Sequence, residues 1–245
     1  MKKLPTLITC LALACSPLAS LEAQNERPPR KEKAKGGKGG SGPRVNKPRI
    51  DDTLRANVYA DNWFKLYING NLVMVDSISF IPHNVVSVDI LPEYPMTIAV
   101  MAKDNADLDT GLEYNNSNLG DGGFILKFSD GTVSNASWRA KSFFHGPINR
   151  DMENPETTHK PIPENWFAVD FDDSAWENAT EHTEEAVSPK SPFYENDFEG
   201  AQWIWTGDLA LDNTVLFRTT IESPPNGAPM PPADWPRGHI DSSNR

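Results

Sequence analysis

The sequence predicts an all-β protein, and three observations lead to this prediction. The stretch 59–73 alternates apolar and polar residues on both sides of Asn69-Gly70, which is typical of a β-hairpin. Short alternating segments separated by turn residues recur from Leu54 to Ile221. Helix signals are restricted to two short stretches, 172–177 and 180–186. Together these patterns favour a β-sandwich that forms a single domain.

The hairpin is the clearest predicted element. Asn69 and Gly70 suit the two positive φ angles that a two-residue type I′ turn requires. Phe64, Leu66 and Ile68 occupy every second position of the first strand. Because successive side chains of a strand point to opposite faces, we expect these three residues to lie on the buried face.

Ten strands follow from the same alternation and from the turn residues between them. A second tight turn is predicted at Asp130-Gly131, between two of these strands. The predicted strands are Leu54–Tyr59, Trp63–Ile68, Leu72–Val75, Val85–Ile90, Thr97–Ala102, Gly123–Phe128, Thr132–Ser134, Trp166–Phe171, Trp203–Trp205 and Thr214–Ile221.

Four regions divide the chain. Residues 1–23 have the layout of a signal peptide, with Lys2-Lys3 followed by an apolar run. Residues 24–50 are rich in glycine and lysine, and we expect a disordered basic linker there. The sandwich domain is predicted over 51–223, and the proline-rich stretch 224–245 is predicted to be an extended tail. No segment is long and apolar enough to predict a transmembrane helix.

Both cysteines, Cys10 and Cys15, lie within the predicted leader. Cleavage of the leader would export a protein without a thiol, whose stability depends on core burial. The residues that precede Cys15 also resemble a lipoprotein signal. The expected location is therefore secreted or periplasmic, with a lipid anchor at Cys15 as the alternative.

Charge is distributed unevenly along the chain. Between Glu26 and Arg49 there are nine Lys or Arg residues against two Glu, whereas from Ile50 onward 12 basic residues face 31 acidic ones. An acidic body repels nucleic acid, so we exclude nucleic acid as a partner of the folded domain. The basic segment is either a solvated spacer or an arm that associates with an anionic envelope.

Several segments of the predicted sandwich resemble galactose-binding-domain-like jelly-roll modules, in particular the accessory domains of bacterial α-L-rhamnosidases. The resemblance implies a jelly-roll β-sandwich with a binding function. The order of the segments differs, because the Trp-Ile-Trp and Phe-Arg strands close this domain instead of preceding the hairpin, as in a circular permutation. The similar segments are Ala60–Gly70, Thr97–Lys103, Gly122–Lys127, Ser137–Lys141, Phe171–Trp176, Ala201–Trp205 and Val215–Arg218.

An acidic loop after one predicted strand is the candidate metal site. Asp104, Asp107, Asp109 and Glu113 lie within ten residues. Ca²⁺ prefers carboxylate and carbonyl oxygens, so these four residues are the predicted Ca²⁺ ligands. A solvated loop held by Asx turns is the alternative interpretation. The resemblance adds weight to Ca²⁺, because related folds often contain a structural calcium ion.

The candidate ligand-binding residues are Trp138, Arg139, Phe144 and His145, a mixture of aromatic and polar side chains suited to sugars. Within this group, Trp138 is also expected to contribute to the core, and Phe144 and His145 are expected to be more exposed. The five histidines are widely spaced in the sequence, which does not favour a zinc site.

The sequence contains no nucleophile elbow, zinc-protease motif or phosphate loop, so no catalytic residue is predicted. The expected function is a non-catalytic binding module for a carbohydrate or another extracellular or cell-wall polymer. Two alternatives stay open. One is a structural or adhesive surface protein that binds another protein, and the other is an enzyme related to glycoside hydrolases, which would require a suitable pair of carboxylates.

Overall fold

The computed structural model describes residues 48–76 and 84–227. The predicted leader, the linker up to residue 47 and the tail beyond residue 227 lie outside the described residues. Within the described ranges, no helix combines the length and apolar character needed to cross a bilayer.

Twelve strands make up most of the regular structure in the described part of the chain. Apart from the strands there are a 3₁₀ turn at Ile50–Asp52 and two four-residue helices, α1 (Glu184–Val187) and α2 (Ser191–Tyr194). The strands are β1 (Leu54–Asp61), β2 (Trp63–Ile68), β3 (Asn71–Val75), β4 (Val85–Ile90), β5 (Met96–Lys103), β6 (Gly123–Phe128), β7 (Arg139–His145), β8 (Thr158–His159), β9 (Glu177–Asn178), β10 (Thr180–His182), β11 (Trp203–Trp205) and β12 (Asp212–Ile221).

The strands form two antiparallel sheets. Sheet 1 has the order β10-β11-β6-β1-β4, and sheet 2 has the order β3-β2-β5-β12-β7-β8, with β9 paired to β7. The last strand of the chain, β12, therefore lies in the interior of sheet 2, between β5 and β7. This arrangement confirms the predicted all-β sandwich.

The core lies between the two sheets. Phe64, Leu66 and Ile68 of β2 are buried there, as their alternation predicted. The turn between β2 and β3 has positive φ angles at both Asn69 (47°) and Gly70 (78°), which confirms the type I′ hairpin. Buried side chains from both sheets fill the space between them, and Trp138 and Trp205 are among the largest of these side chains.

The outer faces of both sheets carry smaller apolar clusters. On sheet 2, Met101, Phe143 and Leu216 pack against Trp166 and Trp176 from the segment 160–178. On sheet 1, residues of β1, β6 and β11 pack against apolar side chains from 187–198. Consecutive residues of β5 are consequently buried on both faces. Long connections thus cover surfaces that would otherwise expose apolar area to water.

Arg218 of β12 fixes the segment 160–178 to sheet 2. The guanidinium donates to Asp173 Oδ2 (2.8 Å) and to the carbonyl of Trp166 (2.6 Å), and it lies over the ring of Phe171. The side chain of Arg218 is only 3% exposed. A buried guanidinium needs such partners, because an unpaired charge away from water is strongly unfavourable.

Eight of the ten predicted strands are confirmed with small shifts at their ends. Two predictions were wrong: Thr132–Ser134 makes only an isolated bridge between Val133 and Lys127, and Trp166–Phe171 forms turns. The two short helical stretches are confirmed only in part: residues 172–177 form a single turn that Asp172 caps and that leads into β9, and 180–186 is divided between β10 and the start of α1. Strands β7, β8, β9 and β10 were not predicted.

We predict that Arg218→Met lowers the free energy of unfolding by about 3 kcal/mol, because it leaves Asp173 and the Trp166 carbonyl without their buried donor. Denaturant unfolding measures this change. Arg55→Gln is the matched control, because Arg55 pairs with Asp89 at the surface, where such a pair contributes about 1 kcal/mol or less. Equal losses in the two variants would contradict the role assigned to Arg218.

Candidate functional site

Three carboxylates meet at one end of the sandwich. Asp104 follows β5, Glu113 lies in the loop after it, and Asp121 precedes β6. Each offers an oxygen that lies within 4.8 Å of the oxygens of the other two. Asp104 and Glu113 are buried, whereas Asp121 is exposed. We call these three residues the acidic cluster, and its geometry is one that can hold a metal ion.

Backbone hydrogen bonds explain why these distant residues meet. The N–H of Asp104 donates to the carbonyl of Asn213 at the start of β12 (3.1 Å). The N–H of Gly120 donates to the carbonyl of Ala210 (3.1 Å), which holds the chain next to Asp121 in place. Glu113 exchanges backbone hydrogen bonds with Asn118 across a short turn.

Two buried oxygens next to the acidic cluster have no hydrogen-bond partner among the described residues. They are Oδ2 of Asp104, which is 6% exposed, and Oδ1 of Asn213, which is 1% exposed. Both lie beside Gly120: a Cβ at this position would stand 1.9 Å from the Asp104 oxygen and 3.1 Å from the Asn213 oxygen. Buried polar atoms are normally paired, so these two acceptors can take a cation as their partner.

Burial, and then neighbouring carboxylates, raise the pKa values of several acidic groups in this region. Burial, followed by the charges of Asp121 and Glu113, raises the pKa of Asp61, at the end of β1, to about 8. Burial and the neighbouring Glu113 raise the pKa of Asp104 well above its usual value. Burial also raises the pKa of Glu113. The folded chain therefore favours either protons or a cation at this position.

The acidic cluster overlaps only partly with the predicted metal ligands. Asp104 and Glu113 belong to it, but Asp107 and Asp109 do not. Asp107 Oδ1 instead accepts hydrogen bonds from the backbone N–H groups of Asp109 and Thr110, which form an Asx turn. These hydrogen bonds lower the pKa of Asp107.

Asp121 and Asn213 were not predicted. Asp121 comes after the acidic loop in the sequence. Asn213 is far from that loop in the sequence, near the C-terminal end of the domain. Only the pairing of β12 with β5 brings Asn213 next to Asp104. One local signal existed for Asp121, since this carboxylate stands two residues before the start of β6.

A cavity of about 520 Å³ lies beside β7 and includes one of the predicted ligand residues, His145. We call it the β7 cavity. Nδ1 of His145 lies 2.6 Å from Oδ1 of Asp212 in β12, and the hydroxyl of Thr206 donates to the other oxygen of that carboxylate. The side chain of His145 is 34% exposed, whereas that of Asp212 is 11% exposed. Lys141, Ser142, Lys160, Trp176 and Glu177 also line the β7 cavity.

The other predicted ligand residues have different surroundings. Trp138 is buried in the core, as expected, and Phe144 is also buried, so the expectation that Phe144 is exposed was wrong. Phe144 stacks on His159 with the ring centroids 4.2 Å apart. Arg139 donates to Asn178 Oδ1 (2.8 Å) and to the carbonyl of Trp176, which ties β7 to β9.

Comparison of this chain with protein-family models, with curated proteins and with solved structures finds no match. The two antiparallel sheets are compatible with a β-sandwich. The galactose-binding-like relation itself stays a prediction.

We predict that, in the presence of a chelator, the protein becomes less stable as the pH rises from about 4 to about 8. Asp61 titrates near 8 when folded and near 3.8 when unfolded, so the folded state binds more protons in this range. Stability then falls by about 1.4 kcal/mol per pH unit for this group. Denaturant unfolding at several pH values measures the slope.

The control for this prediction is Asp61→Asn. This variant retains a side-chain oxygen that can accept the hydrogen bond from the side-chain amide of Asn62. This variant should be more stable than the parent at pH 8 and should have a smaller dependence on pH. Parallel pH profiles of the two proteins would show that Asp61 does not carry the effect.

Proposed function

We propose that this protein is an exported, non-catalytic module that binds carbohydrate. The observation that carries the proposal is the β7 cavity, in which a half-buried histidine is positioned by a carboxylate and surrounded by both donors and acceptors. Saccharide hydroxyls both donate and accept hydrogen bonds, so they suit a mixed lining of lysine, serine and carboxylate groups. The volume of about 520 Å³ lies in the range of small-molecule sites.

His145 would act as an oriented hydrogen-bonding group in this cavity. Asp212 engages Nδ1, so Nε2 is the ring nitrogen through which His145 would contact a ligand. Asp212 is itself held by Thr206, and its carbonyl accepts from the indole of Trp205 (2.8 Å). Because the histidine is fixed before a ligand arrives, binding would lose little side-chain entropy.

We predict that the intact protein binds at least one neutral or acidic saccharide on a glycan array, and that His145→Ala lowers the affinity about tenfold or more. A change of this size corresponds to the loss of one hydrogen bond in a desolvated site. His159→Ala is the control, because this exposed histidine belongs to the adjoining strand but not to the lining of the cavity.

Two outcomes would contradict carbohydrate binding at the β7 cavity. One is the absence of binding to every glycan, with or without Ca²⁺. The other is an equal effect of both histidine substitutions on the affinity, provided that both variants melt at the same temperature as the parent.

We also propose that Ca²⁺ occupies the acidic cluster and stabilises this end of the sandwich. The donor atoms are all oxygens: three carboxylates from the cluster, and the amide oxygen of Asn213 beside Asp104. Ca²⁺ takes about six to eight oxygen ligands and tolerates irregular geometry, whereas Zn²⁺ prefers nitrogen and sulfur. A cavity of about 400 Å³ lined by Asp104 and Trp63 would give the ion a route from solvent.

We predict that Ca²⁺ raises the melting temperature of the protein and that a chelator reverses the change. A ligand that binds only the folded state at 100 times its Kd adds about 2.7 kcal/mol of stability. Asp104→Asn should abolish most of this response. It should also stabilise the metal-free protein at neutral pH, because folding raises the pKa of the Asp104 carboxyl and an amide carries no such cost.

Asp109→Asn is the matched control for the calcium experiment. Asp109 lies in the same acidic loop but outside the cluster, so this variant should respond to Ca²⁺ like the parent. A response lost equally in both variants would indicate general screening of the acidic surface. A larger response to Mg²⁺ than to Ca²⁺ would contradict the identity of the ion.

The proposal also includes export of the protein and a relation to a known class of binding modules. The composition of residues 1–23 supports export, with a lipid anchor at Cys15 as the alternative. We base the relation to galactose-binding-like modules on the resemblance of the sequence segments; the two-sheet antiparallel architecture is compatible with it, with the Trp-Ile-Trp strand β11 and the strand β12 at the end of the domain. Such a module is suited to holding a protein on an extracellular or cell-wall polymer.

A further inference from the structure

One segment of the chain, residues 206–213, borders both the β7 cavity and the acidic cluster, and we call it the shared segment. Several of its residues line the β7 cavity, Asp212 among them. The carbonyls of Leu209 and Ala210 accept hydrogen bonds from the backbone N–H groups on either side of Asp121 (3.1 Å each). The position of Asp121 and the shape of the β7 cavity therefore depend on the same stretch of backbone.

The turn that follows His145 is attached to the shared segment. The N–H of Gly146 donates to the carbonyl of Leu211 (2.8 Å). Four residues further on, the guanidinium of Arg150 donates to Asp208 (3.1 Å). These hydrogen bonds hold the end of β7, and with it His145, against the shared segment.

Asn213 ends the shared segment and contacts both candidate sites with one side chain. Its Nδ2 donates to the carbonyl of Gly146 (2.9 Å). Its Oδ1 lies against Gly120, on the side where Oδ2 of Asp104 also lies. Asn213 is 1% exposed, and its Oδ1 has no hydrogen-bond partner among the described residues. The amide is thus held at its nitrogen, while its oxygen is available to a cation at the acidic cluster.

The acidic loop reaches the same turn from another direction. Gly111 has a φ of 70° and packs so closely that a Cβ there would stand 2.4 Å from the carbonyl oxygen of Gly146. In the same loop, the carbonyl of Leu108 lies 2.9 Å from Nε2 of His159 in β8. The two ends of this loop are carboxylates of the acidic cluster. An ion that holds the two ends together would therefore also restrain the turn after β7.

We propose that Ca²⁺ at the acidic cluster positions the binding groups of the β7 cavity, with Asn213 as the positioning residue, so that metal occupancy and ligand affinity rise together. This inference rests on the two sites proposed above. Without the ion, the three carboxylates of the cluster repel one another and Oδ1 of Asn213 is unpaired among the described residues.

The ion changes this situation at both ends of the Asn213 side chain. Oδ1 becomes a metal ligand, and Nδ2 is held in its hydrogen bond to the carbonyl of Gly146. The shared segment is then fixed from both sides. Part of the conformational entropy that ligand binding would cost is lost before the ligand arrives, so binding is tighter. By linkage, the ligand must raise the affinity for Ca²⁺ by the same factor.

The first experiment requires no saccharide. Two-dimensional ¹⁵N NMR spectra of the intact protein are recorded while Ca²⁺ is added. We expect the backbone amide signal of Gly146 and the imidazole signals of His145 to shift, and to reach their final positions at the same Ca²⁺ concentration as the amide signal of Asp121. The amide of Ser129, which donates to the carbonyl of Arg55 at the opposite end of β1 (2.9 Å), is the internal control and should not shift.

Asn213→Asp separates metal binding from positioning. The variant retains an oxygen for the ion, but it replaces the Nδ2 donor with an acceptor, which cannot bond to the carbonyl of Gly146. We expect Ca²⁺ still to raise the melting temperature of this variant, whereas the signals of His145 respond much less than in the parent. A merely structural role of Asn213 would not separate these two responses.

A second pair of variants decides the question even if Asn213→Asp does not fold. Asp104→Asn lacks a carboxylate of the cluster, so Ca²⁺ should no longer shift the signals of His145. Asp109→Asn changes the same loop outside the cluster and should respond like the parent.

The second experiment measures the consequence for binding. A glycan array is probed with the parent protein in Ca²⁺ and in chelator. For each glycan whose binding depends on His145, we expect the affinity to be about tenfold lower in chelator, which is a typical size for the coupling between two sites. Asp109→Asn should show the same dependence, whereas Asp104→Asn should bind in both conditions as the parent does in chelator.

The outcomes distinguish failure of the coupling from failure of either site. The coupling is overturned, and both sites stand, if Ca²⁺ raises the melting temperature without shifting the signals of His145, or if glycans bind equally in Ca²⁺ and in chelator. A full response of His145 in Asn213→Asp overturns the role of Asn213. Shifts of His145 without binding to any glycan support the coupling and contradict carbohydrate as the ligand. The absence of every response to Ca²⁺ removes the metal site and the coupling with it.

Discussion

The position of β12 inside sheet 2 is the constraint on which the rest of this structure depends. This strand pairs with β5 from the first half of the chain and with β7 from the second half. Sheet 2 therefore cannot close until the last strand has formed, so the two halves of the domain are coupled. Three residues of β12 connect the fold to its candidate sites: Asp212 positions His145, Asn213 lies beside Asp104, and Arg218 holds the segment 160–178.

An irregularity in β12 allows neighbouring residues to serve different sites. The register between β12 and β7 shifts between Asp212 and Thr214, so that Asn213 is an extra residue in a bulge. The side-chain N–H of Asn213 donates to the carbonyl of Gly146 (2.9 Å), while the side-chain oxygen lies beside Gly120. A cation at the acidic cluster would therefore be linked, through the side chain of Asn213, to the turn that follows His145. The bulge makes the proposed metal site and the β7 cavity structural neighbours.

Local patterns made much of the fold predictable, whereas contacts between distant segments did not. Asn69-Gly70 and the alternation around it identified a hairpin, because turn chemistry and strand period act over a few residues. Strand β7 was missed because Arg139, Lys141 and Ser142 interrupt its apolar pattern, and they do so because they contact β9 and the β7 cavity. Asp104 and Glu113 were found through local acidity, but Asn213 could be found only after β12 had been placed.

The distribution of charge limits the choice of ligand for the β7 cavity. The body of the protein is strongly acidic, with 12 basic against 31 acidic residues from Ile50 onward. Its long-range field disfavours polyanions at any surface. In the β7 cavity, Lys141 and Lys160 stand among the carboxylates of Glu177, Asp208 and Asp212, so a neutral or an acidic sugar would find positively charged donors there.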